Sequence, residues 1–296
     1  MNVLESCTLC PRNCHVNRYQ SVGVCGASDK IKVAHYGLHM WEEPIISGSH
    51  GSGTIFFSYC NLKCIFCQNY QISSLGYGKE ISQNRLREIC LELQEQGAHN
   101  INLVTPTHYV PQIVNSIQKI KCRDLSIPIV YNTSSYENRS TIQMLDGLVD
   151  IYLADLKYFD SSLGCRYSHV DNYFHYASLA IQEMVQQVGK FVIKDDLLVK
   201  GVVVRILVLP GHSEDAKKII HYLYDTYHDD IILSIMNQYT PLRTFEKFPN
   251  LNRKVSDDEY QDVIDYALDL GIRYAFIQEG ETQSESFIPN FDCSKI

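Results

Sequence analysis

The chain predicts an α/β fold, a barrel of parallel strands, complete or partial, behind an N-terminal Cys-rich module. From Gly53 onward, short apolar runs alternate with longer amphipathic ones. That alternation builds a parallel sheet covered by helices. Six or seven strand–helix units follow one another, enough for such a barrel. Seven of the 11 cysteines fall in two tight clusters, one before the alternation and one directly after its first strand. At 296 residues, 45% of them apolar, one large domain with a small module has ample core.

The first module is Cys7-Thr8-Leu9-Cys10-Pro11-Arg12-Asn13-Cys14, closing with Gly23-Val24-Cys25-Gly26. Four thiolates close a tetrahedral zinc site or hold an iron–sulfur cluster, and thiolate suits both metals. The plain alternative is a set of free thiols. Residues 1–50 are therefore expected as a metal-binding segment and linker, and residues 51–296 as the barrel domain. In the linker, Glu42 and Glu43 either reach the active site or form surface ion pairs.

Thr54–Ser58 reads as a buried strand. Ser82–Gln96 is a helix with Leu86, Ile89, Cys90 and Leu93 on one stripe and Gly97 as its stop. Strands follow at Ile101–Val104, Ile127–Tyr131, Asp150–Ala154, Val202–Val208 and Ile231–Ile235, with Tyr274–Ile277 as a further one. Between them lie helices at Pro111–Lys121, Thr141–Leu145, Asp171–Val188 and Glu214–Tyr227. Ser256 opens the last helix with a capping box to Glu259, and Gly271 ends it. The polar tail after Gly280 either closes the barrel mouth or stays mobile.

The stretch from Phe56 to Asn69 sets Cys60, Cys64 and Cys67 in a C-x3-C-x2-C array. Three thiolates are one fewer than a closed structural site takes. An iron–sulfur cube held by three cysteines keeps one iron open to a reactant. The alternatives are buried thiols or part of a zinc site. In a barrel of this kind the reacting groups sit at the C-terminal ends of the strands. Each strand end here delivers polar groups: Asn102 with Thr105, Thr107 and His108; Asn132; Asp155 with Lys157; Arg205; and Met236 to Tyr239. A ligand pocket needs such convergence and a core does not. Arg205 inside an apolar strand requires a buried partner. His108 reads as a polar rim residue. Cys165 is a surface cysteine or a radical relay near the mouth; Cys90, Cys122 and Cys293 read as structural.

A net charge of −8 with a pI near 5.7 argues against broad nucleic-acid binding, which wants a basic face, and leaves room for a small local basic pocket. No apolar run is long enough to span a membrane, and the start lacks a signal-peptide pattern. Clustered thiols in such a chain fit a reducing, cytoplasmic compartment.

The array, with Phe66 before Cys67, resembles the cluster loop of the radical S-adenosylmethionine (SAM) superfamily. More closely, the chain from Cys7 to about Gln278 is similar to uncharacterised iron–sulfur proteins related to pyruvate formate-lyase activating enzyme. The resemblance implies an open, partial (β/α)6 TIM-like barrel, a [4Fe-4S] cluster on Cys60, Cys64 and Cys67, and SAM as co-substrate. It implies SAM contacts at Phe66, Asn69, Asn132, Asp155, Lys157 and Arg205, and a reduced flavodoxin or ferredoxin as electron donor. Asn102 and Thr105 are further candidates. The Gly-Gly-Glu run of the activating enzymes is replaced here by Thr105-Pro106-Thr107-His108, which leaves the partner of the SAM amino group open. The implied substrate is a glycyl-radical enzyme or another polypeptide. The alternatives are a small molecule or RNA base, or a non-catalytic iron–sulfur electron carrier.

Overall fold

The computed structural model describes residues 2–121, 123–278, 291, 293 and 296. Residues 2–30 carry only turns and bends. In chain order there follow β1 (Ile31–His39), α1 (Pro44–Ser47), β2 (Ser52–Phe57), α2 (Tyr70–Ser73), β3 (Lys79–Ile81) and α3 (Gln83–Glu95). Next come β4 (Ile101–Val104), α4 (Val110–Lys121), β5 (Ile129–Thr133), α5 (Arg139–Gln143), β6 (Ile151–Asp155) and α6 (Ser161–Ser168). The chain ends with α7 (Tyr173–Val188), β7 (Val192–Lys194), β8 (Leu197–Leu207), α8 (Ser213–Tyr227), β9 (Ile232–Met236), α9 (Asp257–Asp269) and β10 (Ala275–Ile277).

The sheet runs β10-β9-β8-β6-β5-β4-β2-β1-β3. From β10 to β2 every neighbouring pair is parallel, as the apolar strands predict. The sheet does not close on itself among the described residues, so the barrel is open. β1 pairs antiparallel to both β2 and β3, extending the sheet past the first barrel strand. β7 forms an antiparallel hairpin with the long β8. Sequence periodicity shows neither β1, which carries a bulge between Val33 and His35, nor this hairpin, whose exposed first strand has no inward face.

Outward-facing strand residues such as Leu103, Tyr131, Tyr152 and Val204 pack against the helical stripes of Leu86, Ile117, Ile181 and Ile220. The helix ends follow their sequence signals. Ser82 Oγ accepts from Arg85 N–H, Ser256 and Glu259 close the capping box, and Gly97 and Gly271 take positive φ beyond α3 and α9.

Inward-facing Val130, Ile151, Leu153, Val203 and Ile232 form a separate cluster around Ile46. Ile46 is fully buried and belongs to α1, so the segment before β2 plugs the floor of the barrel. Burying that one side chain contributes about 2 kcal/mol. The plug also fixes where Glu42 and Glu43 stand, one turn upstream.

Candidate active site

The cluster loop leaves β2 through Tyr59, at φ 77°, and turns again at Lys63, at φ 53°. Left-handed backbone at a bulky residue persists only where its surroundings hold it. Here the Tyr59 ring lies in a slot between two glycines. A Cβ on Gly76 would sit 2.2 Å from the ring and one on Gly26 2.9 Å from it. Lys32 lies over the same ring, at 5.3 Å.

Each of the three thiols meets a donor. Leu62 N–H donates to Cys60 Sγ at 3.4 Å, Ser168 Oγ to Cys64 Sγ at 3.1 Å and Ser73 Oγ to Cys67 Sγ at 3.3 Å. Tyr158 OH also points at Cys64 Sγ, at 3.9 Å. Burial, then the neighbouring Cys64, pushes the Cys60 thiol up to about 12. Burial and Cys64 raise Cys67 too. Crowded thiols of this kind ionise only against a positive metal centre. The donors aimed at their sulfurs are those that tune an iron–sulfur cluster. The residues present therefore fit the implied cluster.

Facing the loop, the strand ends build one buried charge network. Arg205 Nε donates to Asp155 Oδ1 at 2.7 Å, and Lys157 Nζ donates to Asp155 Oδ2 at 2.7 Å. Arg205 Nη2 donates to Asn132 Oδ1 at 2.6 Å, and Nη1 pairs with Glu42 Oε2 at 3.3 Å. Glu42 Oε1 accepts from Asn102 Nδ2 at 3.1 Å and from Asn132 Nδ2 at 3.3 Å. Burial alone would raise the Asp155 carboxyl; Arg205 and Lys157 outweigh it and hold it below its usual range. At Glu42 and Glu43 burial wins over Arg205, and both are raised. Of the two linker glutamates, Glu42 is thus a site residue, carried into the barrel by the plug.

Cys60, Cys64, Phe66, Cys67, Asn69, Thr105, Asn132, Asp155, Lys157 and Arg205 all line one cavity of about 250 Å³. That volume admits a small molecule or a chain segment, not a folded partner. Phe66 is held edge-on by Tyr158, Tyr167 and Tyr239. Asn102 lies below the cavity wall, fully buried, with its Oδ1 unpartnered. Thr105 takes φ 57°, and its N–H donates to Asn132 O at 2.9 Å.

His108 is not a rim residue. It is buried behind the loop, where its Nε2–H donates to Ser58 O at 2.8 Å. Burial lowers its pKa to about 3, so it stays neutral and structural. Thr107 likewise turns inward and donates to Glu137 Oε1 at 2.6 Å, beside Thr133 and Tyr131 on the same oxygen. The run that replaces Gly-Gly-Glu thus spends its side chains on the core, Thr105 excepted.

Burial, with smaller pushes from neighbouring thiols, raises Cys10 and Cys25 in the N-terminal segment that also carries Cys7 and Cys14. Their module docks on the mouth side of the barrel. Arg12 donates to the carbonyls of Asn61, Leu62, Ser168 and His169; Asn138 Nδ2 donates to Thr8 O and Thr141 Oγ1 to Leu9 O. Cys165 is exposed on α6, with its thiol 3.7 Å from Asp171. Cys90 and Cys293 are buried. Cys122 and most of the tail after Gly280 lie outside the described residues. Ser73, Ser168, Tyr158 and Glu137 carry no sequence signal, because only the tertiary fold aims them at the site.

Residues 54–223 match the radical SAM superfamily. An uncharacterized protein of Methanocaldococcus jannaschii is 31% identical over 284 residues, 92% of this chain and 76% of that protein. Among solved structures, Streptococcus suis SuiB bound to its precursor peptide SuiA superposes with a TM-score of 0.52 at 18% identity, over 75% of this chain and 46% of SuiB. The [FeFe]-hydrogenase maturase HydG superposes with a TM-score of 0.51 at 15% identity, over 77% of this chain and 52% of HydG. The chain thus spans about half the length of these two proteins, and the likeness is one of fold. Among the described residues no helix is long and apolar enough to cross a membrane.

Proposed function

Because the chain belongs to the radical SAM superfamily, we propose that it is an enzyme that cleaves SAM reductively and acts on a polypeptide, a glycyl-radical enzyme being the first candidate. The observation that carries this reading is that Cys60, Cys64 and Cys67 share one cavity with Asn132, Asp155, Lys157 and Arg205. A [4Fe-4S] cluster held by Cys60, Cys64 and Cys67 would supply the one electron that reductive cleavage of SAM needs, and with it the radical chemistry that removes a hydrogen atom from substrate.

The chain's own residues have distinct tasks. The three cysteines hold the cluster, and Ser73 and Ser168 donate to its sulfurs. Asp155, fixed by Arg205 and Lys157, presents a carboxylate to SAM from a position that costs no reorganisation. Asn69 and Asn132 offer amides, and Phe66 an apolar face, on the same wall. The tyrosines around Phe66 exclude water from the reacting centre. A polypeptide substrate is supported by the family resemblance and by the peptide held by SuiB. Reduced flavodoxin or ferredoxin is the electron donor in this reading, the cytoplasm its compartment, and the four N-terminal thiols hold a second metal.

The test is anaerobic. Wild type and Cys64→Ala are reconstituted with iron and sulfide, reduced and given SAM, and 5′-deoxyadenosine is assayed. Product from wild type alone is expected. A fully loaded, reducible wild type that neither binds SAM nor yields product would make the chain an electron carrier instead.

A further inference from the structure

We propose that Tyr70, Leu242 and Arg243 form a docking patch at the cavity mouth for a polypeptide substrate that carries an acidic side chain close to the residue it delivers into the cavity. This rests on the radical SAM reading of the barrel site and adds a charge to its substrate.

The patch is built by two segments that both line the cavity. Gln68 and Asn69 stand on the cavity wall, and Tyr70 follows them at the start of α2. Gln238 and Tyr239 stand on the same wall, and Leu242 and Arg243 follow them in the segment between β9 and α9. That segment, residues 237–256, carries only a 310 turn at Pro249–Asn252. Connections beyond about 12–15 residues without structure of their own are uncommon and usually functional. Gln68 Nε2 donates to Gln238 O at 2.9 Å, and Phe66 packs on Tyr239, so the two segments meet beside the cluster loop.

Arg243 joins them at the surface. Its guanidinium lies between two rings, 4.7 Å from the Tyr70 centroid and 5.3 Å from that of Phe245. Nη2 donates to Ile65 O, which pins the fork to the cluster loop. Phe245 is itself fixed, since its backbone exchanges hydrogen bonds with the Asn252 side chain at 2.6 and 3.1 Å. Arg243 is nonetheless exposed, and among the described residues no carboxylate pairs with it. A planar guanidinium takes a carboxylate on two parallel N–H groups. Held by its rings, this one loses little freedom when it does so. Around it Tyr70, Leu75 and Leu242 are 37%, 66% and 40% exposed. An exposed aromatic beside such an arginine is the make-up of a binding hot spot, and the two leucines give it an apolar border.

Charge and position decide the partner. The chain carries a net charge of −8, so Arg243 supplies a local attraction for an acidic segment that the surface at large does not. A protein electron donor needs no path into the cavity. A substrate does, and the patch continues into the cavity along both of its segments.

The experiment uses the full chain, reconstituted anaerobically with iron and sulfide and loaded with SAM. Wild type, Arg243→Gln and Leu242→Glu are immobilised and offered synthetic peptides randomised around a central glycine. Wild type is expected to enrich Asp and Glu at a fixed distance from the glycine, and both variants to lose that preference. Leu242→Glu sets a competing carboxylate beside Arg243 and leaves the contact with Ile65 in place, so it separates docking from a disturbed cluster loop. Binding of the best acidic peptide, read by fluorescence anisotropy, is expected to weaken about tenfold in either variant and to fall as salt rises. Retention of no peptide, enrichment without an acidic preference, or the same preference in both variants would overturn the proposal. Slower reduction by flavodoxin in the variants, with peptide selection unchanged, would overturn it too and make the patch the electron donor's. Failure of the cluster-loaded wild type to bind SAM would instead strike the barrel reading, leaving the peptide preference still readable.

Discussion

Replacing Arg205 by Met tests the charge network at the heart of the cavity. Its guanidinium, with a side chain only 14% exposed, joins Asp155, Glu42 and Asn132 at once. Without it, three buried carboxyls, Glu42, Glu43 and Asp155, face Lys157 as the one remaining cation of the network. Removing one partner of a buried pair costs about 3–5 kcal/mol, because the other charge is left uncompensated. For a chain of this size that is a fall in Tm of roughly 6–10 °C. The sign with pH follows from the shifts. In wild type the Asp155 carboxyl is depressed, so its contribution is present above an unfolded value near 3.9 and is lost only as pH falls through its lower folded value. In the variant, burial of Asp155 is opposed by Lys157 alone, and Glu42 and Glu43 are lifted further. Groups raised in the folded state cost stability as pH climbs above their unfolded values. The deficit of Arg205→Met against wild type should therefore widen from pH 5 to pH 8, and Glu42→Gln added to it should recover about 1–2 kcal/mol. Urea unfolding of the metal-free, reduced protein at both pH values reads all of this. A deficit under about 1 kcal/mol, or one larger at pH 5, refutes the reasoning.

Glu137 gives a second pH signature. Burial pushes its carboxyl up to about 7 against the pull of Thr107, Thr133 and Tyr131. Being raised, it costs stability as pH rises from about 4.5 through 7, so wild type should lose roughly 2–3 kcal/mol relative to Glu137→Gln between pH 5 and pH 8; parallel pH profiles would contradict this. Gly76→Ala should lose about 2–4 kcal/mol and much of its iron, since the new Cβ meets the Tyr59 ring on top of a left-handed backbone. Gly147→Ala shares the positive φ but has nothing within 4 Å, so it should cost about 1–2 kcal/mol. Equal losses in the two variants would show that the Tyr59 slot is unimportant.

The parallel strands and long helices were legible because each has one buried period and a clean stop. Leu86, Ile89, Cys90 and Leu93 read as a stripe, and all four are buried. α6 was not legible: Gly164 sits in its middle, there because a Cβ would meet Val170 O at 2.8 Å. That requirement exists only after α6 and α7 have packed. The cluster loop was legible because its chemistry is local, three thiols within eight residues. Glu42 was ambiguous for the opposite reason. It lies 163 residues from Arg205, and nothing near Trp41 or Pro44 reveals that the segment enters a barrel. His108 misled because a histidine after a strand end looks like a rim group until a 310 turn at Thr107–Tyr109 rotates it inward.

The plug explains why the barrel needs the chain upstream of β2. Ile46 closes the floor with apolar contacts, and the same segment supplies Glu42 and Glu43 above it. With Asp155 they set three carboxyls against the two cations Lys157 and Arg205, so ionising both glutamates would leave one buried negative charge unmatched. That mismatch is why burial wins at both glutamates while Asp155, held by two cations, stays ionised. A ligand carrying one net positive charge, as SAM does through its sulfonium and ammonium against one carboxylate, restores the balance. It lowers the cost of ionising Glu42 and Glu43, and so binds more tightly as pH rises through their raised pKa values. A neutral or anionic ligand in the same cavity gains nothing from this arrangement.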